Sequence, residues 1–192
     1  MEQKKRLEKI PDKMKTIGVL AGLCAPRASM DFDAAVHKFS LKHIRQRFTT
    51  GYPPMVVVYF REVPFKLDEK GSFILPVQAN PNLLKTAKTL GELSDFWVMI
   101  ANAPHIFREA LEHSSGKTLL SMVDVTLEEV KRKKLRKVGI IALGLSLKEG
   151  LFQNPLDNLG IPYEIIPDSL AKQIDESVFK VMEGENPRPL RQ

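Results

Sequence analysis

Residues 55–60 read Met-Val-Val-Val-Tyr-Phe, an unbroken β-branched and aromatic run with no polar alternation. Such a run marks a strand covered on both faces, the situation inside a parallel sheet flanked by helices. Comparable runs recur at 16–22, 96–101, 138–142 and 163–166, with a shorter one at 118–120. Between them, residues 29–48 place Phe32, Ala35, Val36, Phe39, Leu41 and Ile44 at mostly helical spacing. Residues 81–93 read as a helix behind an Asn80 N-cap, with Pro81 at the first helical position. Further helices are expected from near Pro104, over 124–133, 148–159 and 169–182. Alternation this regular predicts an α/β fold with parallel sheet.

The opening strand has an internal counterpart. Lys15-Thr16-Ile17-Gly18-Val19-Leu20-Ala21 recurs as Arg136-Lys137-Val138-Gly139-Ile140-Ile141-Ala142. Two similar flavodoxin-like lobes with parallel sheets are therefore expected, 15–115 and 116–184, the second incomplete because it has no counterpart of 96–101. A lobe without that strand leaves its neighbour with unpaired N–H and C=O groups unless a partner chain covers them. Residues 1–14 read as a flexible basic arm. The tail 185–192, with Pro187 and Pro189, can neither extend a helix nor enter a central strand.

Composition narrows the function classes. Cys24 is the single cysteine, which excludes an intramolecular disulfide framework and any zinc site of several thiolates, and fits a reducing compartment. The net charge is +6, but residues 1–15 hold six cations against three acids, so half of it sits in the arm. No apolar run approaches the roughly 18 residues a membrane span needs. Glu2, Glu8 and the lack of an apolar core near the start argue against a signal peptide, so a cytoplasmic protein is expected. Lys131, Arg132, Lys133, Lys134, Arg136 and Lys137 form a basic run that could meet phosphates. It also ends a helix, where cations offset the dipole, and has no interleaved aromatic platform, so nucleic acid is not the expected partner.

In open parallel sheets ligands bind beyond the carboxyl ends of strands. That places Cys24 and Ser29 after the first strand, Arg61 and Lys66 after the second, Asn102 and His105 after the third, and Gly144 and Ser146 after the repeated strand. No metal-ligand spacing, phosphate-binding loop or nucleophile elbow occurs among them, so no metal or cofactor is expected.

Two separated segments carry a resemblance. Lys15-Thr16-Ile17-Gly18-Val19-Leu20-Ala21-Gly22-Leu23 is similar to the opening motif of the aspartate/glutamate racemases, with Ala21 in place of the family's first Gly. Ala28-Ser29 matches the small residue and Thr that follow it, and Asp95-Phe96-Trp97-Val98-Met99-Ile100-Ala101-Asn102-Ala103-Pro104-His105 resembles the D-F-x-x-x-P-C-N-T-A-H segment. The resemblance implies a cofactor-independent amino-acid racemase, in which a thiolate and a thiol on opposite faces of the substrate remove and return the Cα proton. The family's first cysteine falls on Ala101, and its second falls beyond Gln192. Substrate-holding positions correspond to Ser29, Lys66, Asn102 and Ser146, with Lys66 where Arg is usual, and the family's Tyr and Lys fall on Phe152 and Asn154. The expectation is a catalytically impaired relative that keeps a site for an acidic amino acid and forms a homodimer. Two alternatives stand: an active racemase or related isomerase using Cys24 or His105, and a basic interaction module. Cys24 reads better as a small packed residue and Lys66 as a solvated loop residue, while His105 reads equally as a group stacked on the sheet or bonded to a backbone carbonyl.

Overall fold

The computed structural model describes residues 14–23, 26–46, 48 and 51–184. The tail 185–192, all of the basic arm except Met14, and Cys24 lie outside the described residues. The chain forms two compact units, one running to Ala101 and including Phe107–Leu120, the other made of Asn102–Ile106 and the residues from Ser121 onward.

The first unit begins with β1 (Ile17–Ala21), α1 (Pro26–His43), β2 (Met55–Tyr59), α2 (Pro81–Leu93) and β3 (Phe96–Met99), and ends with α3 (Arg108–Ser115). Its sheet is parallel in the order β2-β1-β3, with Ile17 opposite both Met55 and Phe96. Because β1 is central, its alternate residues serve two cores. Leu20 joins Trp97, Met99, Leu83, Leu90, Leu111 and Leu119 on the face covered by α2 and α3. Val19 and Ala21 join Val98 on the other face, where Phe32 of α1 packs. Trp97 is fully buried and donates its indole N–H to Ser115 Oγ at 3.1 Å. Asn80 caps α2 as expected, its Oδ1 accepting the Asn82 N–H at 2.8 Å, an arrangement worth about 1 kcal/mol.

The second unit contains α4 (Met122–Arg132), β4 (Val138–Ile140), α5 (Gly144–Lys148), α6 (Gln153–Asn158), β5 (Tyr163–Ile165) and α7 (Asp168–Met182). Its sheet has two parallel strands, β4 and β5. Val123, Leu127, Ile140 and Leu156 form its buried core. No helix among the described residues is long and apolar enough to cross a membrane.

The structure thus has the expected α/β architecture with parallel sheets, and departs from the expected elements in four places. The run at 55–60 is an edge strand and not one covered on both faces: Val57 and Tyr59 are 41% and 39% exposed. Its side chains face two layers, but among the described residues no strand lies beyond it. The first helix starts and ends earlier than periodicity suggested, at Pro26 and His43. Residues 118–120 make only a one-residue parallel bridge, Leu119 to Trp97. Of the helix expected over 148–159 only α6, Gln153–Asn158, forms; α5 ends at Lys148, where that helix was to begin, and Gly150 with a left-handed φ of 66° breaks the helical path between them.

Candidate functional site

In the first unit the chain turns sharply at the carboxyl end of β1. Gly22 has φ 79°, and a Cβ there would lie 2.9 Å from the Phe60 carbonyl oxygen, so the turn demands glycine. The Gly22 N–H donates to Oγ of Ser29 at 3.2 Å, and Ser29 is 3% exposed on the first turns of α1. Phe60 and Ile100 donate their N–H groups to the carbonyls of Ala21 and Leu20, which levels the three strand ends. Ala101 follows directly, half-buried against the cluster of Leu20, Trp97 and Met99. Ser29 and Ala101 therefore share the carboxyl end of this sheet.

Lys66 lies on the loop after β2. The backbone there is held by Lys66 N–H to Gln78 O at 2.8 Å, and by Phe65, buried against the rings of Phe73 and Phe107. The Lys66 side chain is exposed. Beside this loop Val58, Glu62, Asn82, Lys85, Thr86 and Thr89 line a groove of 390 Å³. None of the residues singled out from sequence lines it. Glu62 is fixed there by the Nδ2 groups of Asn80 and Asn82 at 3.0–3.1 Å. The signal for it was Asn80-Pro81-Asn82, which reads first as a helix start.

In the second unit, Asn102 is exposed and His105 is 4% exposed. The Met122 N–H points at His105 Nε2 at 3.4 Å, so Nε2 is the acceptor and Nδ1–H donates to the Asn102 carbonyl at 3.2 Å. Both ring nitrogens thus serve the backbone, and one of them receives an N–H from the first turn of α4. Ser146 is 2% exposed on α5. The Gly144 N–H at the start of that helix donates to Asp175 Oδ1 of α7 at 2.9 Å. Phe152 packs against the core of the unit, and Asn154 is exposed.

The basic run at 131–137 closes α4. Glu129 accepts from Arg132 Nε and NH2, each at 2.6 Å, and lies 3.4 Å from Lys133, while Lys137 donates to Glu164. These cations hold the Glu129 carboxyl down at about 2 and the Glu164 carboxyl below its usual range. Three of the six cations of the run are thus paired within the unit, with two carboxylates between them. Among the described residues no group of three His, Cys, Asp or Glu is placed to hold a metal ion.

Parallel sheets flanked by helices place each unit in the α/β class, in whose open sheets ligands are generally met beyond the carboxyl ends of the strands. The chain belongs to the Asp/Glu/Hydantoin racemase family, whose profile matches residues 41–192. An aspartate racemase homologue from Pyrococcus horikoshii OT3 has the same fold, with a TM-score of 0.62 at 18% identity over 90% of this chain and 74% of that one. A candidate Asp/Glu racemase from Yersinia pestis gives 0.68 at 16% identity over 91% and 75% of the two chains. The aspartate racemase of Picrophilus torridus gives 0.63 at 18% over 88% and 75%.

Proposed function

We propose that this protein is a racemase-family member that binds an acidic amino acid or related carboxylate without racemising it. The observation that carries the reading is Ala101 at the carboxyl end of the first sheet, the position where the resemblance expects a proton-transferring thiol. A methyl group neither takes nor returns a proton, so one of the two opposed acid–base groups is absent. Relaying through His105 would require giving up the backbone bonds at both ring nitrogens. Binding is the simpler chemistry to retain. In the first unit Ser29 and Lys66 supply a hydroxyl and a cation suited to a carboxylate, although Lys66 offers a point charge where Arg would give a two-pronged fork; in the second unit Asn102 and Ser146 supply an amide and a hydroxyl.

The test is Cα-deuterium exchange. Purified protein is incubated with L- and D-aspartate and glutamate in deuterated water, beside a thermal-shift titration with the same ligands. The expected result is no exchange above the buffer rate and a rise in Tm with aspartate or glutamate that saturates. Exchange abolished by Cys24→Ala or His105→Gln would overturn the reading in favour of an active isomerase, and the absence of any thermal shift would remove the binding half of it.

A further inference from the structure

Residues 60–80 connect β2 to α2, a span long enough to need structure of its own. Phe65 pairs antiparallel with Ala79, and Leu67 with Phe73, so the chain runs out, turns and returns as a short hairpin. Asp68 closes the tip, its Oδ1 accepting the Lys70 and Ser72 N–H groups at 2.9 and 2.8 Å. Lys66 lies in the outgoing arm and is bonded twice to the returning one. Its N–H donates to Gln78 O at 2.8 Å, and its carbonyl accepts the Ile74 N–H at 3.3 Å. The place of the Lys66 backbone therefore depends on the two arms staying together.

At the base of the hairpin side chains join the arms. Glu62 begins the outgoing arm, Asn80 ends the returning one, and Asn82 follows on the first turn of α2. Asn80 Nδ2 donates to Glu62 Oε2 at 3.1 Å and to the Val63 carbonyl at 2.9 Å, and the Asn80 N–H donates to Pro64 O at 3.0 Å. Asn82 Nδ2 lies 3.1 Å from Glu62 Oε1 and 3.0 Å from Oε2. Hydrogen bonds to an ionised acceptor are stronger than those between neutral groups. Both asparagines are tied to α2, which Leu83, Ala87 and Leu90 anchor in the core at full burial. Through Glu62 the hairpin thus hangs from a rigid helix.

We propose that Glu62 is a positioning residue: with Asn80 and Asn82 it clamps the base of the hairpin to α2, and so holds Lys66 where it meets the carboxylate of the ligand. The inference rests on the reading of Lys66 as the cation for that carboxylate, and adds what keeps its backbone in place. A lysine offers a point charge on a flexible stem, so a fixed backbone is the main source of its placement. Charge alone predicts the opposite effect. A carboxylate on the same hairpin repels an acidic ligand, so a Glu62 that acted only through its charge would weaken binding, and neutralising it would tighten binding. Glutamine fills the same space but replaces one acceptor oxygen by a donor facing the asparagine N–H groups, which undoes the clamp without leaving a hole.

The experiment compares the wild-type chain with Glu62→Gln, Lys66→Met and the double variant. Amide hydrogen exchange at Lys66 and Ile74 is measured without ligand, and the Kd for L-aspartate and L-glutamate by calorimetry. In Glu62→Gln exchange at both amides should rise about tenfold. Its Kd should rise about fivefold or more. The double variant should bind no more weakly than Lys66→Met, because a clamp that acts through Lys66 has nothing left to position. The urea midpoint read by Trp97 should stay at the wild-type value. Unchanged exchange, equal or tighter binding by Glu62→Gln, a further loss in the double variant, or a fall in the Trp97 midpoint that accompanies the weaker binding would each overturn the positioning role and leave the carboxylate reading standing. A wild-type chain that binds neither amino acid would overturn that reading, and the positioning role with it.

Discussion

Gly91 shows how one residue sets the spacing between two helices. It lies buried in α2, and a Cβ there would run into the backbone carbonyl oxygen of Ser115 at the end of α3, with the Ser115 Cβ at 2.9 Å. Alanine in a helix interior is ordinarily favoured over glycine by about 1 kcal/mol. Here overpacking against backbone, which cannot rotate aside, outweighs it and costs on the order of 1–3 kcal/mol. Gly91→Ala should therefore lower the urea midpoint followed by Trp97 fluorescence. Gly139→Ala, with open space around its Cβ, should leave stability within about 0.5 kcal/mol. A stabilised Gly91→Ala variant would show that the helices can separate freely. None of this was legible in sequence, where Gly91 is one residue in a helical run and its neighbour across the pair is 24 positions away. Asn80 and Pro81 were legible, because capping is decided by residues two positions apart.

At the scale of the element, α4 is bounded by chemistry at both ends. Ser121 Oγ accepts the Val123 N–H at 3.1 Å, which draws the start of the helix to Met122. At the other end Glu129 is bonded to Arg132 and faces Lys133, on the turn where cations complement the helix carbonyls. The side-chain bond to Arg132 is the largest cause of the depression of the Glu129 carboxyl from 4.5 to about 2. A carboxylate with a folded-state value below its unfolded one adds stability that is present above about 4.5 and lost as pH falls toward 2. The wild-type protein should thus lose its advantage over Glu129→Gln across that window, read as two Tm-against-pH curves that converge in acid. Parallel curves would mean that the pair contributes nothing, and because the site is exposed, added salt should also shrink the gap. The helices and strands with strong apolar periodicity were readable from sequence alone. The edge position of β2 and the exposure of Val57 and Tyr59 were not, since an unbroken apolar run is silent on how far each face is covered and on whether a further strand lies beside it. The break after α5 was missed for another reason: Gly150 ends the helix by adopting a left-handed φ, which a glycine in sequence permits without announcing.

The two units differ in how much each has to hold it together. The first has a three-stranded sheet with cores on both faces, and ten buried residues from Leu20 to Leu119 fill the larger of them. Among the described residues the second has two strands of three residues and four buried core residues. A two-stranded sheet is marginal unless packing supports it, and stability tracks the apolar area removed from water. The same sequence repeat that revealed the two lobes also marked the missing strand, so this asymmetry was legible before the structure. What could not be read was which residues of β4 pair with which of β5, Val138 with Tyr163 and Ile140 with Ile165. The second unit should therefore open at lower denaturant than the first. Trp97 is the single tryptophan and sits in the first unit, so its fluorescence reports that unit, while far-UV circular dichroism reports helices of both. In urea the circular dichroism signal should begin to fall first, with the Trp97 transition following at higher concentration. Coincident transitions by both probes would show that the chain unfolds as one cooperative body and that the thinner core is not its weak point.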